Sequence, residues 1–262
     1  SEIGYSTEDD IRKTNWHYAV AGSAASGDSH VVAPKNTFNM YCNREPRFYI
    51  SVVYNEQHHW GKGKATNFFF NGEDGQPSHD NPSAGYLIRK HVDPTFVHST
   101  NTGTYKSRQG ILYRLAEAYL SYAESALEYS IAKNTYNADK TDIVKYINKI
   151  RERAGISQYG TSDLEIPTDP KEMRKLIRRE RRVEMNCEGG LRWFDLRRWK
   201  EAEDVLDGNF YGMNMLAEKD NRDEFYKRVR YQTRKFKSYW WPIPQDEIDK
   251  NPNLKQMPGW MN

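Results

Sequence analysis

Five aromatic residues in the first third of the chain, Tyr5, Trp16, Tyr18, Tyr54 and Trp60, lie among Asn, Ser, Gln and His. An aromatic face bordered by amides suits a sugar ring. The C–H face of the sugar stacks on the ring, and its hydroxyls exchange hydrogen bonds with Asn, Gln or Arg. Trp16, Tyr18, Trp60, Tyr54, Asn55 and His58 are therefore candidate ligand-binding residues. Each aromatic also has a plainer use as local core, which is the commoner fate of such side chains. Composition alone leaves both readings open.

Other chemistry finds less support. His58 and His59 are adjacent, and neighbours on a strand point apart, so they do not readily share a metal ion. The loop segment NGEDG (Asn71–Gly75) lacks the alternating ligands of a calcium loop. No GxSxG, HExxH or P-loop pattern occurs, and no pair of carboxylates stands in a recognisable catalytic arrangement. The sequence thus points to a protein that is not an enzyme, with no cofactor and no metal. Its two cysteines, Cys42 and Cys187, form no CxxC, and a single disulfide between them is compatible with the sequence.

The most basic stretch is RKLIRRERRVEMNCEGGLRWFDLRRW (Arg174–Trp199). Glu180, Glu184, Glu188 and Asp195 are interleaved with its arginines, and Glu180 and Glu184 stand one helical turn apart. Structural pairing with Arg neighbours at i±3 and i±4 is the expectation, rather than nucleic-acid contact. The whole chain carries 39 basic and 36 acidic residues, a net charge of +3, too balanced for a nucleic-acid protein. No apolar run approaches the ~20 residues of a membrane span. No secretory signal is present and the first residue is Ser1, so the chain reads as a processed or truncated piece.

These residues must be positioned by two dissimilar regions. Residues 1–109 are rich in Gly, Ser, Asn and Pro and hold all seven His, which suggests a loop-rich, ligand-facing region. RFYISVVY (Arg47–Tyr54) reads as a strand by its aromatic and β-branched content. Asn71–Gly85 reads as a long loop. From 110 to 262 the pattern is a helical body with a closing tail. Leu112, Leu115, Ala116 and Tyr119 follow i, i+3, i+4, i+7 and mark the inner face of a helix over 112–132. That spacing matches the first helix of a tetratricopeptide repeat, a unit of roughly 34 residues. A second helix over 143–155 carries Ile143, Ile147 and Ile150, after a loop longer than the standard repeat allows. A third is capped by Asp169 with Pro170 at its first position, with Glu172 placed for a capping box, and runs to about Glu188 before Gly189 and Gly190. A short helix follows with Trp193, Phe194, Leu196 and Trp199, and the pattern from Asp207 to Lys237 is weak and charged.

Four stretches together carry a resemblance. They are NREPRFYISVVYN (Asn43–Asn55), RLAEAYLSYAES (Arg114–Ser125), RRERRVEMNCEGGLRWFDLRRW (Arg178–Trp199) and YWWPIPQDEIDKNPNLKQMPGW (Tyr239–Trp260). From roughly residue 35 to the end, the chain resembles the C-terminal half of a SusD/RagB family protein. The resemblance implies a mainly α fold: modified tetratricopeptide-like repeats packed against an irregular, loop-rich region with a few short strands. It implies a non-catalytic, lipid-anchored protein of the Bacteroidetes outer membrane, at the cell surface. Such a protein binds an oligosaccharide or polysaccharide and serves a TonB-dependent, SusC-like transporter. No sugar contact carries over by motif. The closing segment would wrap back over the helical body, with Trp240, Trp241 and Trp260 as scaffold anchors and its prolines limiting the unfolded chain.

Two departures accompany the resemblance. Family members are usually longer and begin at a lipid-anchored Cys, and both the anchor and the first repeats are missing here; repeat helices need neighbours to bury their faces. EMNCEGG also has two Gly where one is commoner in the family. A peptide-binding lid or scaffold of the same type of importer is the second reading, and a carbohydrate-active enzyme the third.

Overall fold

The computed structural model describes residues 3–8, 10–13, 29–57, 65–79, 81–90, 92 and 110–261. In chain order the elements are β1 (Asp10–Lys13), β2 (Ser29–Ala33), α1 (Pro46–Ser51), β3 (Val52–Tyr54), β4 (Tyr86–Ile88), α2 (Leu115–Lys133), α3 (Tyr136–Arg153) and α4 (Pro170–Glu184). They continue with α5 (Leu191–Arg198), α6 (Ala202–Leu206), β5 (Gly208–Gly212), α7 (Arg222–Phe225), β6 (Val229–Arg234) and α8 (Gln245–Lys250). The strands form three separate antiparallel pairs, β1 with β2, β3 with β4 and β5 with β6. The fold is thus mainly helical with a few short strands, as the sequence leads one to expect.

Two compact units divide the chain, one of residues 1–189 and 213–227, the other of 190–212 and 228–262.

In the first unit, α2, α3 and α4 share an aliphatic core. Ala123 and Leu127 of α2 meet Ile143, Val144 and Ile147 of α3 and Met173 and Ile177 of α4, all buried. Fully burying each large aliphatic side chain contributes about 1.5–3 kcal/mol. The inner face of α2 is therefore built on Leu120, Ala123, Leu127 and Ser130. The face read from the sequence is displaced from it: Leu112 precedes the helix and is 99% exposed, and Leu115 is exposed. Tyr119 instead lies on the flank of α2, its ring 5.0 Å from that of Tyr146.

The expected long loop between α2 and α3 is absent. Asn134 takes a left-handed conformation (φ 56°) that ends α2, and α3 starts two residues later. Asn is among the few residues that tolerate this conformation. The polar run before Ile143 is helical because Tyr136 is buried and its hydroxyl donates to the Pro167 carbonyl at 2.6 Å.

At α4 the Asp169 cap forms, its carboxylate accepting from the Lys171 N–H at 2.8 Å. Glu172 pairs with Lys175 (2.7 Å) rather than closing a capping box. The helix ends at Glu184, four residues before the expected point, and Cys187 has a positive φ of 62°.

An aromatic core occupies the loop-rich part of the same unit. Phe38 stacks on Tyr226 at 4.1 Å and Tyr41 on Tyr54 at 4.2 Å, with Tyr49, Phe68, Phe69 and Phe225 buried around them. Arg47–Tyr54 is not one strand. Pro46, with its φ suited to the first helical turn, starts α1, and only Val52–Tyr54 pairs with β4.

In the second unit a small core of Leu196, Ala202 and Phe236 gathers α5, α6 and the approach to the tail. The β5–β6 pair, which the sequence pattern does not reveal, runs from Gly208↔Arg234 to Gly212↔Val229. Its side chains alternate weakly because both faces are largely exposed.

The tail is closed on itself. Gln256 exchanges two hydrogen bonds with the backbone of Ile243 (2.8 and 2.9 Å), and the Trp260 indole N–H donates to the Trp240 carbonyl at 2.7 Å. Gly259, at φ +84°, is needed there: a Cβ would stand 2.8 Å from the Lys237 carbonyl. The Arg197 guanidinium donates to the Ser238 carbonyl at 2.9 Å and to the Tyr239 carbonyl, and sits 5.3 Å from the Trp193 ring and 4.9 Å from the Trp241 ring. Trp240 and Trp241 are exposed; Arg197 holds the tail, and Trp241 covers it.

Candidate ligand site

Glu180 and Glu184 stand four residues apart on one face of α4, and Glu188 follows four residues later, past the end of the helix. Arg47 of α1 donates to Glu180 at 2.6 Å and to Glu184 at 3.1 Å, and reaches back to Glu45 at 2.9 Å. Arg114, just before α2, donates to Glu184 at 2.6 Å and twice to Glu188 at 2.6 and 2.7 Å. Arg151 of α3 meets Glu180 at 2.9 Å, Arg153 pairs with Glu184, and Lys90 pairs with Glu188.

The partners thus come from distant elements, 29 to 137 residues away along the chain, and not from i±3 and i±4 neighbours. The sequence signal for this was the i, i+4, i+8 carboxylate spacing together with the arginines that stand in the first two quoted stretches.

Electrostatics follow the geometry. Burial alone would raise the Glu184 carboxyl, but hydrogen bonding from Arg114 and the charge of Arg153 bring it below its ordinary value. Glu188 is lowered the same way by Arg114 and Lys90, against burial. Burial would lower the Arg47 guanidinium, yet Glu45 and Glu180 raise it. These shifts favour the charged forms of Glu184, Glu188 and Arg47, and the ion pairs tie α1, α2, α3 and α4 together.

Beside this network lies a cleft of about 690 Å³ between α1, α4 and the segment joining α3 to α4. Its floor is charged and already paired: Arg47, Glu180 and Arg151. Its wall is apolar, with Phe48, Tyr159, Leu164 and Leu176. Tyr159 is fixed by two hydrogen bonds between its backbone and the Asn148 amide (2.8 and 2.9 Å), and the Arg151 guanidinium lies 4.5 Å over its ring. Burial pushes the Tyr159 phenol above its usual value, against the charges of Arg151 and Arg179. The rim carries Arg179, Arg182 and Asn186, all exposed.

The residues singled out from the sequence are distributed differently. Tyr54 and Asn55 are each 1% exposed. Tyr54 belongs to the aromatic core, and Asn55 accepts a hydrogen bond from the Phe68 N–H at 2.8 Å, which orders the neighbouring loop. Both are buried by the packing around the turn after β3. Trp16, Tyr18, His58 and Trp60 lie outside the described residues. Tyr5 is half-buried against Phe38 and Tyr226, with its hydroxyl donating to Asp223 at 2.6 Å. Cys42 and Cys187 are not joined. Among the described residues no group of three or more His, Cys, Asp or Glu is arranged to hold a metal ion, and no helix is long and apolar enough to cross a membrane.

Comparison with known proteins places these features in context. A model described as the SusD family matches residues 5–260, further toward the start than the quoted stretches reach. The SusD-like protein P2 of Formosa agariphila is 30% identical over 156 residues, 59% of this chain and 26% of that protein. Among solved structures, BT4246 aligns with a TM-score of 0.68 at 27% identity, covering 92% of this chain and 39% of that one. A SusD-like protein (BF3747) from Bacteroides fragilis aligns with a TM-score of 0.66 at 28% identity, covering 85% and 40%. The chain thus spans between 26% and 40% of the length of these relatives.

Proposed function

Since the chain belongs to the SusD family, we propose that it is part of a non-catalytic surface protein that binds glycans and delivers them to a TonB-dependent, SusC-like transporter. A lipid anchor would hold the complete protein at the outer membrane. The observation that carries this reading is the family match over residues 5–260, supported by a structural likeness covering 92% of the chain.

Trp16, Tyr18, Trp60 and His58 form the proposed contact set. A sugar would stack on the tryptophans and take hydrogen bonds from the neighbouring polar side chains. Tyr54 and Asn55 are not in that set, because both are buried. Affinity electrophoresis through a panel of polysaccharides tests the reading, with Trp16→Ala and Trp60→Ala beside the unaltered chain. Retardation by at least one glycan that is lost in either variant is expected. Retardation by none, with a folded chain, would move the weight to a peptide ligand.

A further inference from the structure

The α4 helix distributes its arginines unevenly. Arg174 is paired with Glu128 at 2.6 Å, whereas Arg179 and Arg182 have no ion-pair partner among the described residues. Both are exposed and both line the cleft of about 690 Å³. They are three residues apart, so they project from one face of the helix toward the same space. Asn186 adds an amide to the same rim.

The charge of these arginines is not cancelled from within the cleft. Glu180 is engaged by Arg47 and Arg151, and Glu45 is held by Arg47 at 2.9 Å. The cleft therefore offers an opening with excess positive charge above an apolar wall that includes Phe48 and the fixed ring of Tyr159. Its volume falls in the range of small-molecule pockets, roughly 300–1,000 Å³.

We propose that this cleft binds the anionic substituent of an acidic saccharide, a uronate carboxylate or a sulfate ester, through Arg179 and Arg182, with the sugar ring against Tyr159 and Phe48. The planar guanidinium fork matches both oxyanions and can engage them bidentately. The proposal deepens the glycan-binding reading and rests on it. It assigns the ligand class by charge, and it adds a subsite made of residues other than Trp16 and Trp60.

The test uses the whole chain. Dissociation constants are measured calorimetrically for oligogalacturonate, a sulfated galactan oligosaccharide, the desulfated galactan oligosaccharide and inorganic sulfate. They are compared with Arg179→Gln/Arg182→Gln and with a charge-matched control, Lys133→Gln/Lys171→Gln, whose residues do not line the cleft. The proposal predicts binding of one acidic oligosaccharide that weakens with added salt, at least about tenfold weaker in the double arginine variant and unchanged in the control. Preference between the carboxylated and sulfated ligands identifies the oxyanion. Equal affinity in the arginine variant overturns the proposal, as does binding of inorganic sulfate alone. Binding of only the neutral oligosaccharide overturns it too, and leaves the glycan reading standing. Binding of no saccharide, charged or neutral, removes both.

Discussion

Replacing Glu184 by Gln removes one charge from the centre of the four-element network. The Glu184 side chain is 3% exposed and receives Arg114 at 2.6 Å, Arg47 at 3.1 Å and Arg153. In the variant Arg114 keeps Glu188 and Arg47 keeps Glu180 and Glu45. Neither guanidinium is left without a carboxylate, but the Gln amide turns either a donor or a weaker acceptor toward them. Breaking a buried ion pair from one side costs about 3–5 kcal/mol. The surviving partners place this case at the lower end, about 3 kcal/mol. For a chain of this size that corresponds to a fall in Tm of roughly 6–12 °C. The exposed pair Arg174–Glu128 serves as the comparison, and Glu128→Gln is expected to cost less than about 1 kcal/mol. Thermal and urea unfolding followed by circular dichroism at 222 nm reads the helices directly. A Glu184→Gln variant no less stable than Glu128→Gln would refute the claim that this network holds the helices together.

Three further outcomes follow from the same structure. The folded carboxyls of Glu184 and Glu188 lie below their ordinary values, so the folded state binds fewer protons; their contribution is complete above about pH 4.3 and declines as the pH falls through the folded values. Urea midpoints measured on descending pH should show that decline, and Glu184→Gln should flatten it; an unchanged slope counts against the cause given. Leu127→Ala should cost about 2–5 kcal/mol and Leu112→Ala less than about 0.5 kcal/mol, since Leu127 is fully buried and Leu112 precedes the helix in solvent; similar values from urea unfolding would mean that the inner face of α2 is misassigned. Arg197→Ala should raise amide hydrogen exchange across 238–260 by removing the bonds to the Ser238 and Tyr239 carbonyls; unchanged exchange there would show that the tail is held by other contacts.

Much of the helical part was legible in the sequence because its signals are local. The Asp169–Pro170 start of α4, the Ile143 and Ile147 spacing of α3 and the short helix after Gly190 depend on residues a few positions apart. Local signals mislead where a distant partner decides the outcome. The inner face of α2 differs from the one its spacing suggests because Leu112 and Leu115 are apolar yet precede or begin the helix, while α3 and α4 select Leu120, Ala123 and Leu127. Arg47–Tyr54 has strand composition, but Pro46 and the Arg47–Glu180 pair favour a helical turn first. The burial of Tyr54 and Asn55 rests on the ring of Tyr41 and on the Phe68 N–H, which their own neighbours in the sequence do not reveal. The carboxylates of the network were visible as a repeat of four, but their arginines lie up to 137 residues away, a pairing that no single window of sequence contains. Arg179 and Arg182 become noticeable only when the pairing of every neighbouring arginine is known.

The most direct test of the central claim is a saturation titration of the chain with whichever polysaccharide retards it in gels, with the saccharide products analysed from the same tubes over a day. Saturable binding with no shorter saccharide released is the predicted result. Release of shorter saccharides, or no saturable binding by any glycan in the panel, would contradict the account.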